Sequence, residues 1–207
     1  MQKNDKDCHA VTQVCARNDK LWLATHACAA SNDKLGGNDR GCVYDYMDSP
    51  VGKLTIVASP KGLHAVLWEN DLQSLRYSAV IASLKHSKDN PIIIETKKQL
   101  NEYFEGKRKK FDLPIKPEGT DFQIQAWEQL SKIPYAETIS YKIQAERIGD
   151  KNKARAVGMA NGKNPISIII PCHRVVGSNG DLVGFAGGLD KKDYLLKLEK
   201  TFLEASI

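Results

Sequence analysis

From Val43 onward, apolar and polar positions sort the chain into short strands followed by amphipathic helices. "VYDYM" and "KLTIVAS" flank Ser49-Pro50-Val51-Gly52 and read as strand, turn, strand; a second turn at Pro60–Gly62 leads into a third strand ending at Trp68. Leu72, Leu75, Ala79 and Ala82 then fall at helical spacing, with Asp71 placed as the N-cap. "NPIIIETKKQLNEYFEG" reads as another helix: Asn90 caps it, Pro91 suits its first turn and Gly106 ends it. "KRKKFDLPIKPEG" carries a charge run and two prolines, so it reads as a linker with one short extended piece and Lys107–Lys110 as a solvated turn.

The second half changes character. Phe122, Trp127, Leu130 and Ile133 share one side of the helix expected over "TDFQIQAWEQLSKIP". "SYKIQAERIG" and "NKARAVGMANGKN" read as two short helices joined by a tight turn at Gly149, a spacing that fits helix-turn-helix geometry. "ISIII" reads as a buried strand stopped by Pro171. Ser178–Gly180 carries a hairpin-turn signal, and Gly184, Gly187 and Gly188 surround Phe185 in a loop open to a flat ligand or another backbone. A last helix follows, with Leu189, Tyr194, Leu195 and Leu198 as its apolar positions.

A chain of 207 residues makes one large domain or two small ones. It contains no apolar run long enough to cross a bilayer. "LWLATHACAA" ends like a cleavage site, but His26 interrupts a short apolar core and no compact basic segment leads into it. No membrane partner is expected, and the expected compartment is the cytoplasm, or the nucleus in a eukaryote. The five cysteines are an odd number, which argues against a disulfide framework. Residues 1–41 differ from the rest: Asn-Asp-Lys recurs at 4–6, 18–20 and 32–34, without helix or strand periodicity. They read as a disordered or atypical extension. Cys8, Cys15, Cys28 and Cys42 with His9 and His26 raise a metal module as the alternative, but there is no C-x-x-C pair, so no metal site is assigned.

The formal charge of +5 is only mildly basic. Its distribution is more informative. Between Lys142 and Arg174 the chain has Lys142, Arg147, Lys151, Lys153, Arg155, Lys163 and Arg174 against only Glu146 and Asp150. A basic second helix in a helix-turn-helix is what a phosphate backbone selects.

The chemistry concentrates in "PCHRVV", Pro171–Val176. An ordinary cysteine, with a pKa of about 8.5, is mostly thiol at neutral pH, and the thiolate is the nucleophile. A neighbouring imidazole can take its proton, provided a carboxylate orients the ring. On an extended chain Cys172 and His173 point to opposite faces, so direct contact needs a break at Pro171 or a bridging water. From these residues alone, a reactive Cys172 and a buried structural one both stand.

These residues form a pattern. Pro171-Cys172-His173-Arg174-Val175, preceded by Asn164-Pro165 and the apolar run, resembles the active-site signature of the O6-alkylguanine-DNA alkyltransferases (methylated-DNA–protein-cysteine methyltransferases). "FDLPIKPEGTDFQIQAWEQLSKIPYAETISY" resembles the family's lead-in to its DNA-binding domain, "ARAVG" its recognition helix, and "GFAGGLDKKDYLLKLE" its closing loop and helix. The resemblance covers residues 43–203. It implies a two-domain α/β protein: an N-terminal RNase H-like domain, a small antiparallel sheet with helices, over 42–114, and a winged-helix domain carrying the active site over 115–207. It implies irreversible, stoichiometric transfer of an alkyl group from O6-alkylguanine, with O4-alkylthymine as a further substrate to test, and no cofactor. Cys172 is the implied acceptor; His173 deprotonates it through a water, and Glu199 orients His173. Asn164 braces the active-site turn. Tyr141 helps rotate the nucleotide and protonates the departing O6. Arg155 fills the space left by the flipped base, while Ala154, Ala156, Gly158 and Ala160 allow close approach to the minor groove beside Lys163. Phe185, Ala186, Gly187, Pro171 and Val175 line the base and alkyl pocket. The partner implied is double-stranded DNA containing O6-alkylguanine, bound by a monomer acting singly or cooperatively. The chemistry is coherent: a stacked base must be extruded before it can be attacked, and displacement at carbon needs a soft nucleophile and a proton for the leaving oxygen. Two departures stand out. Ala136 replaces a common glycine in a turn, and Phe185 replaces the tyrosine of some members. The rivals are a lesion sensor or transcriptional regulator that binds DNA without transfer, and a thiol redox or hydrolytic enzyme acting on a small substrate.

Overall fold

The computed structural model describes residues 41–72, 81–82 and 84–205. The N-terminal extension, with its alternative metal module, and the helical positions Leu75 and Ala79 lie outside them. Strands β1 (Val43–Met47), β2 (Leu54–Ser59) and β3 (Gly62–Trp68) form an antiparallel meander, as the alternating pattern predicts. The sheet is not purely antiparallel, however. A two-residue β4 (Lys85–His86) joins the far edge parallel to β1, giving the order β3-β2-β1-β4. Two residues carry too little period to be read from sequence.

Both β2 and β3 are buried along their whole length. Alternate residues sort by face: Leu54, Ile56, Val66 and Trp68 enter the main core, and Val57, Ala65 and Leu67 a second cluster with Ile81. Helix α1 (Glu69–Leu72) follows β3 directly. Asp71 is not its N-cap but lies inside its first turn, reaching back so that its carboxylate accepts the Trp68 N–H at 3.1 Å. Helix α2 (Pro91–Phe104) starts where Asn90 predicts, the Asn90 Oδ1 accepting from the N–H groups of Ile92 and Ile93. Its buried face, including Ile93, Leu100 and Tyr103, covers the sheet.

The outer edge of β3 joins the two halves of the molecule. The linker's extended piece pairs with it at Leu63–Ile115, and the segment after Asn164 pairs with it at Val66–Ile166. The exposed-edge hazard of an open sheet is thereby removed, and the loop that carries Cys172 is hung from the N-terminal sheet.

Helix α3 (Asp121–Ser131) begins with a reciprocal Thr120–Gln123 capping box and buries Ala126, Trp127 and Leu130; Phe122 remains half-buried. Helix α4 (Tyr141–Arg147), a 3-10 turn (Lys151–Lys153) and α5 (Ala154–Gly162) pack as the helix-turn-helix. A short parallel pair, β5 (Ile139–Ser140) with β6 (Val175–Val176), and the final α6 (Leu189–Glu204) complete the fold.

Several expectations need correction. "ISIII" is buried except at the half-buried Ile169 but forms no strand: Ile168 takes a left-handed conformation, φ +72°, and the Ile170 N–H returns to the Ile166 carbonyl, closing a tight loop. The Ser178–Gly180 turn is present, with Gly177 N bonded to Asp181 O, but no strand follows it to make a hairpin. In α6, Leu189 and Tyr194 are exposed; the helix buries Leu195 together with Lys192 and Glu199. Cys42 is disulfide-bonded, against the reading of the odd cysteine count, whereas Cys172 keeps its thiol.

Candidate active site

Pro171 ends the loop, and the next three residues, Cys172–Arg174, form a 3-10 turn, not extended chain. Cys172 and His173 therefore do not alternate across a strand. All three residues of the turn are buried. Asn164 holds the loop's mouth: its Oδ1 accepts from Ile166 N at 3.1 Å, and its Nδ2 donates to Ile170 O at 2.8 Å and to Cys172 Sγ at 3.3 Å. One amide thus stabilises the bend and points a donor at the thiol sulfur.

The His173 Nε2–H donates to Glu199 Oε1 at 2.8 Å, and both residues are wholly buried. This bond leaves Nδ1 as the basic nitrogen of the neutral ring. Nδ1 is buried and has no protein hydrogen-bond partner. Burial pulls the His173 pKa down, aided by the charges of Arg174 and Lys192; the Glu199 bond opposes them and does not prevail. The ring is consequently neutral near pH 7 and able to accept a proton.

Glu199 is the hub. Besides His173, its carboxylate accepts from Arg174 Nε and Nη2 at 3.0 and 2.9 Å, from the Tyr103 hydroxyl at 2.8 Å and from the Ala136 N–H at 2.9 Å. Burial pushes its pKa up, but the hydrogen bonds and charges of His173 and Arg174 win and hold it at about 2. Arg174 also donates to Ile133 O at 2.7 Å and lies over the Tyr135 ring. It belongs to this buried network and is no part of the basic surface on which the sequence reading counted it.

Lys192 is a second member that the sequence reading missed. It is fully buried, and its ammonium donates to the carbonyls of Val175 and Val183 at 2.6 and 2.7 Å. Burial pulls its pKa down to about 8, against the pull of a negative Cys172. A cation whose charge couples to a thiol in this way favours the thiolate. No sequence signal distinguishes Lys192 from its solvated neighbours, because α6 is lysine-rich throughout.

Tyr141, at the start of α4, crosses to the glycine loop: its hydroxyl donates to Val183 O and Gly184 O at 3.1 and 2.9 Å. Burial and the Cys172 charge push its pKa up to about 12, so it stays protonated. Phe185 meets the N-terminal domain, edge-on to Trp68 with centroids 5.7 Å apart. Between them a Cβ on Gly187 would come within 2.8 Å of the Trp68 ring and 2.9 Å of Phe185, which explains the glycine. Ala186 is exposed and Val175 fully buried in the β5–β6 pair. Pro171 and Arg174, with Tyr135 and Lys132, border a 330 Å³ cavity behind the turn that neither Cys172 nor His173 lines.

On α5, Arg155 and Ala156 are exposed, Ala154, Gly158 and Lys163 partly so, and Met159 is strongly exposed. Ala160 faces inward, its carbonyl accepting the Trp127 indole N–H at 2.9 Å, so it does not belong with the small residues at the surface. The angle of α5 to α4 is set by a buried amide pair, Gln144 with Asn161, bonded reciprocally at 3.1 and 2.7 Å. The sequence reading missed that pair as well.

The chain matches two family models: "6-O-methylguanine DNA methyltransferase, ribonuclease-like domain" over residues 42–117, and "6-O-methylguanine DNA methyltransferase, DNA binding domain" over residues 121–201. It is 46% identical over 160 residues to the methylated-DNA–protein-cysteine methyltransferase of Methanosarcina barkeri, covering 77% of this chain and 98% of that one. The protein of the same name from Mycobacterium bovis is 42% identical, with 79% and 96% covered. The crystal structure of the Mycobacterium tuberculosis O6-methylguanine methyltransferase superposes with a TM-score of 0.70 at 41% identity, covering 77% of this chain and 93% of that one. The same mycobacterial protein in complex with DNA gives 0.69.

Proposed function

The chain belongs to the 6-O-methylguanine DNA methyltransferase family, and on that premise we propose that it clears O6-alkylguanine from duplex DNA by moving the alkyl group onto Cys172. It is a DNA-binding methyltransferase of direct-reversal repair. The observation that carries the assignment of the acceptor is the buried relay Glu199–His173 beside Cys172, with the basic Nδ1 of His173 left without a protein partner.

Neutral His173 takes the thiol proton at Nδ1 by way of a water, and Glu199 stabilises the imidazolium. Lys192 and the Asn164 amide stabilise the thiolate. Sγ attacks the alkyl carbon as the C–O6 bond breaks, and protonated Tyr141 supplies the proton to guanine O6. For that last step Tyr141 must exchange its bonds to Val183 and Gly184 for the base. Arg155, exposed on α5, occupies the space of the extruded base, with Ala154, Ala156 and Gly158 against the backbone. Phe185 and the Ala186-Gly187 backbone wall the base pocket. The thioether has no route back, so each molecule acts once.

The test is intact-protein and peptide mass spectrometry after mixing the protein with a duplex carrying one O6-methylguanine. One added methyl on the Cys172 peptide, never more than one per chain, is the expected result. Lesion binding without added mass would leave a sensor. Cys172→Ala is expected to keep lesion binding and lose transfer completely. Arg155→Ala is expected to slow transfer from duplex DNA by roughly tenfold while leaving reaction with free O6-benzylguanine nearly unchanged.

A further inference from the structure

His173 is held by Glu199, and Glu199 is held in turn by a hydroxyl from the other half of the chain. Tyr103, near the end of α2, donates to Glu199 Oε1 at 2.8 Å, and the same oxygen accepts the His173 Nε2–H at 2.8 Å. We propose that Tyr103 is a positioning residue for the His173 base, fixing the rotation of the Glu199 carboxylate and drawing negative charge off the oxygen that faces the imidazole. This rests on the roles given to Cys172 and His173 above, and it extends the site into the N-terminal domain.

Three observations carry it. The Tyr103 ring is wholly buried against Phe104, Phe111 and Tyr135, with centroids 5.4 to 6.2 Å apart, a packing task that phenylalanine would perform equally well. The hydroxyl is therefore the part that needs explaining, and its partner is Glu199. Arg174 and the Ala136 N–H keep Glu199 in the site from other sides, so what Tyr103 adds is the final orientation of the carboxylate and the charge on Oε1. Finally, burial and the Glu199 charge keep the Tyr103 pKa well above the ordinary tyrosine value, so it remains a neutral donor wherever the protein works.

The consequence is a matter of sign. The groups facing His173 and Glu199 are Tyr103 on α2, Tyr135 on the turn after α3, Cys172 and Arg174 on the active-site turn, and Lys192 on α6. Arg174 and Lys192 disfavour the imidazolium and Glu199 favours it. Removing the Tyr103 hydroxyl leaves more charge on Oε1 and so favours the imidazolium. His173 then protonates at higher pH, and its base form is lost sooner as the solution is acidified.

The experiment compares the full-length protein with Tyr103→Phe in single-turnover transfer from an O6-methylguanine duplex across pH, with lesion binding and melting temperature measured alongside. The variant is expected to bind the duplex like the parent, to transfer roughly three- to tenfold more slowly at neutral pH, the effect of one lost hydrogen bond of ordinary strength, and to have its acid limb moved to higher pH. Unchanged rates, or a uniform slowing with the acid limb in place, would overturn the inference. If the parent itself transfers no methyl group, it is the assignment of Cys172 and His173 that fails. Should Tyr103→Phe fold poorly, a ring-fluorinated tyrosine at position 103 keeps the hydroxyl and makes it a stronger donor. It is expected to move the acid limb to lower pH, and an unmoved limb again sinks the proposal.

Discussion

Ala136, like Ile168, carries a backbone cost of its own. It takes φ +62°, a left-handed conformation that costs an L-residue roughly 1–2 kcal/mol. In that conformation its N–H points at Glu199 Oε2. Strain is tolerated where the surroundings over-determine it, and here they hold the carboxylate that holds the base. Ala136→Gly is expected to raise stability by up to about 1 kcal/mol after glycine's entropic cost, read as a higher melting temperature with transfer retained. Glu199 makes a prediction about acid. Its folded pKa is about 2 against an ordinary 4.5, so the unfolded chain binds the extra proton between those values. The stability it contributes is complete above pH 4.5 and lost as pH falls toward 2. His173, depressed below 6.5, adds the same sign at higher pH, because it charges on unfolding. Urea titrations should therefore show stability falling with acidification from about pH 6.5, and Glu199→Gln should flatten the lower part of that slope.

At the scale of elements, α5 has two faces. Val157, Ala160 and Asn161 pack inward, and Arg155, Ala156 and Met159 point out. Gly158 lies between these faces. A Cβ there would meet the Tyr141 ring at 3.6 Å, an ordinary contact, so the fold does not demand glycine. Gly158→Ala is expected to stabilise α5 by up to about 1 kcal/mol through helix propensity and yet to weaken duplex binding, as measured by fluorescence anisotropy. Stability and affinity moving together would mean that α5 does not approach DNA through this position. The helix after Asn90 was legible because its cap is local: Asn90 bonds backbone N–H groups within three residues, as Thr120 and Ser140 also do at α3 and α4, which the sequence reading found from apolar spacing and the Gly149 turn. The apolar run before Cys172 was not legible. Its composition is that of a strand, and the bend at Ile168 is imposed by the Asn164 amide and by pairing with β3, both of which lie outside the run.

At the scale of the molecule, the N-terminal sheet is part of the site. Val66 anchors the loop of Cys172, Tyr103 reaches Glu199, and Trp68 backs Phe185. Gly187 is the tightest point of that contact. Gly187→Ala must displace Trp68 or Phe185, and it is expected to slow reaction with O6-benzylguanine more than with O6-methylguanine, since the larger group relies more on the pocket wall. Competition between the two substrates for one protein sample reads this directly. The sequence by itself determined the three-strand meander, the Asn90-capped and amphipathic helices, the helix-turn-helix and the signature around Cys172, because each rests on period, turn chemistry or neighbours within a few residues. Only the tertiary structure decided that Arg174 is a buried partner of Glu199, that Lys192 is buried on the carbonyls of Val175 and Val183 where it feels the Cys172 charge, and that Tyr103 shares an oxygen with His173. Those outcomes depend on which groups meet across 9 to 96 residues of chain, and on low-dielectric burial, which turns ordinary surface residue types into a coupled network.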